Sequence, residues 1–142
     1  MITVIGSINM DIVVETTVFP KQGETVFGQG FHTVPGGKGA NQAVAVARLG
    51  SHVHMVGALG QDAFGNELRT ILQQEKIDDT FVRTTETATG IANITLFDND
   101  NRIIVVPGAN ADVSRESIDA ARTLIAKSDL VVMQLEIPQD TV

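Results

Sequence analysis

Strand-like and helical runs alternate along this chain, and that alternation narrows the fold to one class before any motif is considered. The run Ile2-Thr3-Val4-Ile5 is short, apolar and closed by Gly6, which reads as a buried strand. Residues 40–49 carry Ala43, Val44, Ala45, Val46, Ala47 and Leu49, apolar nearly all round, and predict a buried helix stopped by Gly50. Residues 53–58 predict the next strand. Asp62 is placed to cap a second helix, in which Phe64, Leu68, Ile71 and Leu72 recur at i, i+4, i+7 and i+8. A short strand follows. Ser114 then opens a helix to about Lys127 with Ile118, Ala121 and Ile125 on one face, and Leu130-Val131-Val132-Met133 reads as a last buried strand. Strands separated by helices imply an open, mostly parallel α/β sheet of the doubly wound kind.

Two strand pairs interrupt this order. One joins residues 11–17 to 24–34 through Pro20-Lys21-Gln22-Gly23, and the other joins 90–97 to 102–106 through Asp98-Asn99-Asp100-Asn101. Neither has a helix to cover it, so a second, smaller sheet projecting from the first is expected. The main sheet ends on a strand with no covering helix. That predicts an exposed edge or face and gives a first sign of a fragment. With 142 residues the chain suits about one domain, and it holds no internal repeat, low-complexity tract or linker.

Composition excludes several functions. Seventeen acidic against ten basic residues give a net charge of −7, with no basic cluster to meet a nucleic acid. Six Phe with no Trp or Tyr supply a poor platform for stacking bases. The absence of cysteine removes disulfides, thiolate metal sites and cysteine nucleophiles. The start, Met1-Ile2-Thr3, has neither a basic flank nor a long apolar run, so no signal peptide or membrane span is expected and a cytoplasmic location is.

Three constellations carry candidate chemistry. Gly6-Ser7-Ile8-Asn9-Met10-Asp11 ends the first strand, where open parallel sheets bind ligands. Asn9 and Asp11 point to the same side of an extended backbone, and an amide beside a carboxylate suits adjacent sugar hydroxyls; alternatively the two only shape a turn. In Pro35-Gly36-Gly37-Lys38-Gly39-Ala40-Asn41-Gln42, glycines precede a helix N-terminus that can cradle oxygens or serve simply as a tight turn. It is not a phosphate-binding Walker loop, because Gly39 follows Lys38 and His32 occupies the leading position, nor a dinucleotide fingerprint, because Gln42 stands at the third glycine. Glu136, after the last strand, is either a third crevice residue or a solvated loop carboxylate. The stretch 98–101 lacks the twelfth-position Glu of a calcium loop, and His52 with His54 does not complete a metal site, so no metal site is expected. No Gly-x-Ser-x-Gly elbow is present.

Taken in order, Gly6 to Asp11, Pro20 to Glu24, Gly36 to Ala43, Gly57 to Asp62, Pro107 to Asn110 and Met133 to Glu136 resemble the PfkB-type carbohydrate kinases. The string Gly-Gly-Lys-Gly-Ala-Asn-Gln-Ala is closest to the ribokinase branch of that family. The resemblance implies a ribokinase-like fold carrying a β lid near 12–34 and 90–107, and a homodimer joined through the lid. It further implies that residues 1–142 are the N-terminal, sugar-binding part, with the nucleotide-binding half absent. On this resemblance Asn9, Met10 and Asp11 meet the sugar, and Gly37, Lys38, Gly39, Ala40 and Asn41 line the same pocket. Ala92 and Ile94 close it from the lid, and Glu136 completes it. In the intact family member ATP, Mg2+ and a monovalent cation (K+) serve phosphorylation of D-ribose to ribose 5-phosphate. The general-base Asp, in a Gly-Ala-Gly-Asp motif, has no counterpart here. The chain alone is therefore expected to bind those cofactors poorly and to be inactive. The alternatives are a fructokinase-like or other member of the family, or a non-catalytic module for sugar binding or dimerisation.

Overall fold

A computed structural model describes residues 1–142. In chain order its first half contains β1 (Ile2–Ile5), β2 (Asn9–Glu15), β3 (Gly30–Gly36), α1 (Lys38–Arg48), β4 (Val53–Gly60) and α2 (Ala63–Gln74). The second half contains β5 (Asp78–Thr85), β6 (Gly90–Phe97), β7 (Asp100–Val106), a 3-10 turn (Gly108–Asp112), α3 (Arg115–Ala120), α4 (Arg122–Lys127) and β8 (Leu130–Met133).

The alternating part forms one parallel sheet in the order β5-β4-β1-β8. Its inner strands are buried on both faces, as parallel strands between helix layers must be. Val4 and Met55 join Ala40 and Ala43 of α1 and Leu68 and Leu72 of α2 in one core; Ile5 and Val56 join Val113 and Ala121 in another. Each fully buried Val or Leu contributes about 1.5–3 kcal/mol. From β1 the chain reaches β4 and β5 on one side by way of α1 and α2, and β8 on the other by way of α3 and α4. Strand order therefore reverses beside β1, and the carboxyl ends of β1 and β8 flank the crevice where open α/β sheets take ligands.

The interrupting strands form the second sheet, β3-β2-β6-β7, with β2 and β6 parallel and the outer pairs antiparallel. Asp98 and Asn99 have φ of +49° and +57°, the two left-handed residues a two-residue hairpin of matching twist requires.

Four expectations need correction. The second strand of the first hairpin starts at Gly30 rather than residue 24, because the chain turns at Gly23 (φ +76°) and rejoins β2 only where Gln29 N donates to Glu15 O at 2.7 Å. The helix at 40–49 starts at Lys38 and is one-sided: Gly39, Ala40 and Ala43 are buried against the sheet while Ala45 and Leu49 face solvent. The single helix from 114 is two six-residue helices meeting at Ala121, whose N–H is shared between Ser117 O and Ile118 O. The last strand is not buried. As the sheet's edge it leaves Leu130 and Met133 exposed, as the uncovered end of the main sheet predicts.

Candidate functional site

The loop after β1 and the start of α1 touch backbone to backbone, and glycine makes this contact possible. A Cβ on Gly39 would lie 2.7 Å from the Gly6 carbonyl carbon and from both Ser7 N and Ser7 O. Gly37, at φ +90°, has Asn9 N, Ser7 O and Ile8 Cα within 2.9 Å of where its Cβ would be. Across this seam Ala40 N donates to Ser7 O at 2.9 Å and Gly39 N to Ser7 Oγ at 3.3 Å.

Glu136 docks on the same seam from the end of β8. It accepts from Ser7 Oγ at 2.6 Å and from Lys38 N at 3.1 Å, and it ion-pairs with the Lys38 ammonium. Burial pushes its pKa up, but the hydrogen bonds from Lys38 and Ser7 and the lysine charge outweigh burial and hold it below the ordinary value. Asp11 goes the other way: burial, then the negative charge of Glu136, raises its pKa. Its carboxylate lies on Gly36, where a Cβ would come within 2.4 Å of both oxygens.

Asn110 orients the third polar group. Only 1% exposed, its Oδ1 accepts from Ile8 N at 2.9 Å and its Nδ2 donates to Asn9 Oδ1 at 2.7 Å, to Pro107 O at 3.0 Å and to Ile8 O at 3.2 Å. With Asn9 Oδ1 so engaged, the Asn9 NH2 is left as a hydrogen-bond donor. A cleft of about 470 Å³ lies here, lined by Asn9, Val105, Pro107, Asn110, Leu135 and Glu136 among others.

The structure thus gathers Asn9, Asp11, Gly37, Lys38, Gly39 and Glu136 around one crevice. Ala92 sits directly beside Asp11 in the strand register, and Ile94 two pairs farther out beside Val13. Met10 and Ala40 turn away, their side chains buried in the first core, so only their backbones are near the crevice. The Asn41 side chain is exposed one residue beyond Ala40, beside Pro35 and Gly36. Sequence reasoning missed Ser7 as the partner of Glu136 and Asn110 as the residue that orients Asn9. The only signal for Asn110 was an asparagine after a Pro-Gly turn.

Fold and site together define a class: an open α/β sheet with a polar crevice at its switch point, bordered by a small β sheet. The chain belongs to the pfkB family of carbohydrate kinases, whose family model matches residues 1–142. It is 50% identical over 141 residues to a ribokinase of Lactococcus lactis, covering 99% of this chain and 47% of that protein. A ribokinase structure from Thermotoga maritima superposes with a TM-score of 0.91 at 38% identity, covering 99% of this chain and 47% of the other. One from Arabidopsis thaliana, complexed with ribose and ATP, gives a TM-score of 0.82 at 36% identity over 96% of this chain and 46% of that one. The chain spans about half the length of the curated relatives it matches.

Proposed function

We propose that this chain is the sugar-binding portion of an ATP-dependent kinase that phosphorylates D-ribose at its primary hydroxyl. The observation that carries the reading is the convergence of Asn9, Asp11 and Glu136 at the switch point of the sheet, beside the glycine-lined start of α1. The free NH2 of Asn9 donates to a sugar oxygen, and Asp11 accepts from neighbouring hydroxyls. Gly37 and Lys38 border the sugar, and Ala92 and Ile94 cover it. Met10, Gly39, Ala40 and Asn41 contribute backbone and shape. Lys38 is already balanced by Glu136, and no arginine or second lysine lines the cleft, which favours an uncharged sugar over a phosphosugar.

Phosphoryl transfer rests on positioning and charge stabilisation. On this reading the general base and the nucleotide pocket belong to the length of the relatives that this chain does not span. ATP is the phosphoryl donor, as the ribose and ATP named for the Arabidopsis structure suggest. On the same reading the Mg2+ and K+ that serve the transfer belong, with the nucleotide, to the length of the relatives that this chain does not span. A cytoplasmic location belongs to the same proposal, and no helix is long and apolar enough to cross a membrane. A lid-to-lid homodimer also belongs to it, supported by exposed Phe31, Val34 and Ile103 to Val106.

Calorimetric titration with D-ribose, beside fructose, fructose 6-phosphate and adenosine, tests the sugar assignment. Ribose alone should bind, and Asp11→Asn should abolish the signal. Tighter binding of another of the four would reassign the substrate. ATP-dependent turnover by the purified chain would refute its expected inactivity.

A further inference from the structure

The main body grips the lid where β6 begins. Asp62 caps α2 by accepting from Gly65 N at 2.8 Å, and the same carboxylate reaches 27 residues along the chain to accept from Thr89 N at 2.8 Å and Thr89 Oγ1 at 2.7 Å. Thr89 Oγ1 in turn accepts from Gly60 N at 3.0 Å, and Thr89 is 4% exposed. The fit leaves no spare volume: a Cβ on Gly60 would lie 2.4 Å from Thr89 N, and one on Gly65 would lie 2.1 Å from Gly60 O.

The next residue, Gly90, already belongs to the crevice. A Cβ there would lie 2.3 Å from Asn110 Nδ2 and 2.5 Å from Asn9 Oδ1. Gly90 pairs with Asn9 in the register, and Ala92 with Asp11. A shift at Thr89 therefore passes through one peptide unit to the groups read above as sugar contacts. A helix cap needs only one acceptor for α2. The two further bonds from Thr89 tie the body to the lid and serve the helix in no way.

We propose that Asp62 and Thr89 are positioning residues for the sugar site: their clamp fixes where β6 enters the lid and so sets Gly90 and Ala92 against Asn9 and Asp11. The inference rests on the sugar-site reading, and its test separates the two. Thr89→Val removes the hydroxyl while leaving the α2 cap intact. Thr89→Ser keeps the hydroxyl. Asp62→Asn keeps Oδ1 for the cap but turns an NH2 toward Thr89 N, donor against donor. Because the chain has no cysteine, Asn101→Cys on the lid and Lys127→Cys on the body accept spin labels uniquely.

The lid-to-body distance distribution should be narrow in the parent chain and in Thr89→Ser, and wider in Thr89→Val and Asp62→Asn. Ribose affinity in calorimetry should fall about tenfold or more in the widened pair, the equivalent of about 1.4 kcal/mol, and return in Thr89→Ser. An unchanged distribution in both Thr89→Val and Asp62→Asn overturns the clamp, as does a wider one with undiminished ribose affinity. If the parent chain binds no sugar, the sugar reading fails, and the distance distribution still decides whether Asp62 and Thr89 fix the lid.

Discussion

Gly37→Ala and Gly50→Ala form a matched pair, because both glycines sit at nearly the same φ, +90° and +88°. A side chain in such backbone costs about 1–3 kcal/mol at either site. The sites differ in what the new methyl would meet. At Gly50 nothing lies within 4 Å, whereas at Gly37 the Cβ meets Asn9 N, Ser7 O and Ile8 Cα at 2.8–2.9 Å, all backbone atoms of a fully buried loop. Overpacking of that kind adds about 1–3 kcal/mol, a large share of the 5–15 kcal/mol that ordinarily holds a domain together. With a urea slope of about 1–3 kcal/mol per molar, the Gly37 variant should unfold at a midpoint about 1 M below the Gly50 variant. Lacking Trp and Tyr, the chain calls for far-UV circular dichroism rather than fluorescence. Coincident midpoints would refute the reasoning, since they would mean the loop after β1 yields to the helix start at no cost.

Three further outcomes follow from the charges and from Asn110. The pKa of Asp11 is raised by burial and by Glu136, so ionising it opposes folding and stability is gained as pH falls through that raised value. Asp11→Asn should therefore raise the thermal midpoint at pH 7 while abolishing ribose binding; a lowered midpoint contradicts this. Glu136 is held below its ordinary value, so its contribution is present above the unfolded value of about 4.5 and is lost as pH falls through the depressed one. Glu136→Gln should cost about 1–2 kcal/mol at pH 7, with parent and variant converging in thermal scans taken toward pH 3. Asn110→Ala strands Ile8 N and takes the donor from Asn9 Oδ1, and should cost about 2–4 kcal/mol in the same urea assay.

The alternation of periods was legible because it is local: Val4 and Ile5, or Leu68 and Leu72, declare buried positions within a few residues. Asp62 as a cap and a hairpin turn within 98–101 were legible for the same reason, since each acts on its own neighbours, although the turn is the two residues Asp98-Asn99 and the strand resumes at Asp100 rather than 102. The exposure of β8 was legible only in part: the uncovered end of the main sheet pointed to an exposed edge, but the alternation pattern alone does not fix which strand lies there. Ser7, Thr89 and Asn110 were missed for a related reason. Their partners lie 129, 27 and 102 residues away, at Glu136, Asp62 and Ile8, and nothing in their own surroundings sets them apart from ordinary loop residues.

The crevice is bordered by both sheets, the smaller one read above as a lid as well as the main one. Asn9 and Asp11 belong to β2 of the lid, and Glu136 and Lys38 to the ends of the main sheet and its first helix. Asp11 and Glu136 repel across that boundary, which is one of the two reasons the Asp11 pKa rises. Any closer approach of the two carboxylates would strengthen that like-charge repulsion. A ligand donating hydroxyl protons to Asp11, with Lys38 and Ser7 retained on Glu136, offsets that repulsion where it arises. A phosphorylated ligand adds negative charge to the same place and finds no free cation among the cleft residues. On the reading proposed above, the electrostatics of the crevice thus favour a neutral polyol over a phosphorylated sugar.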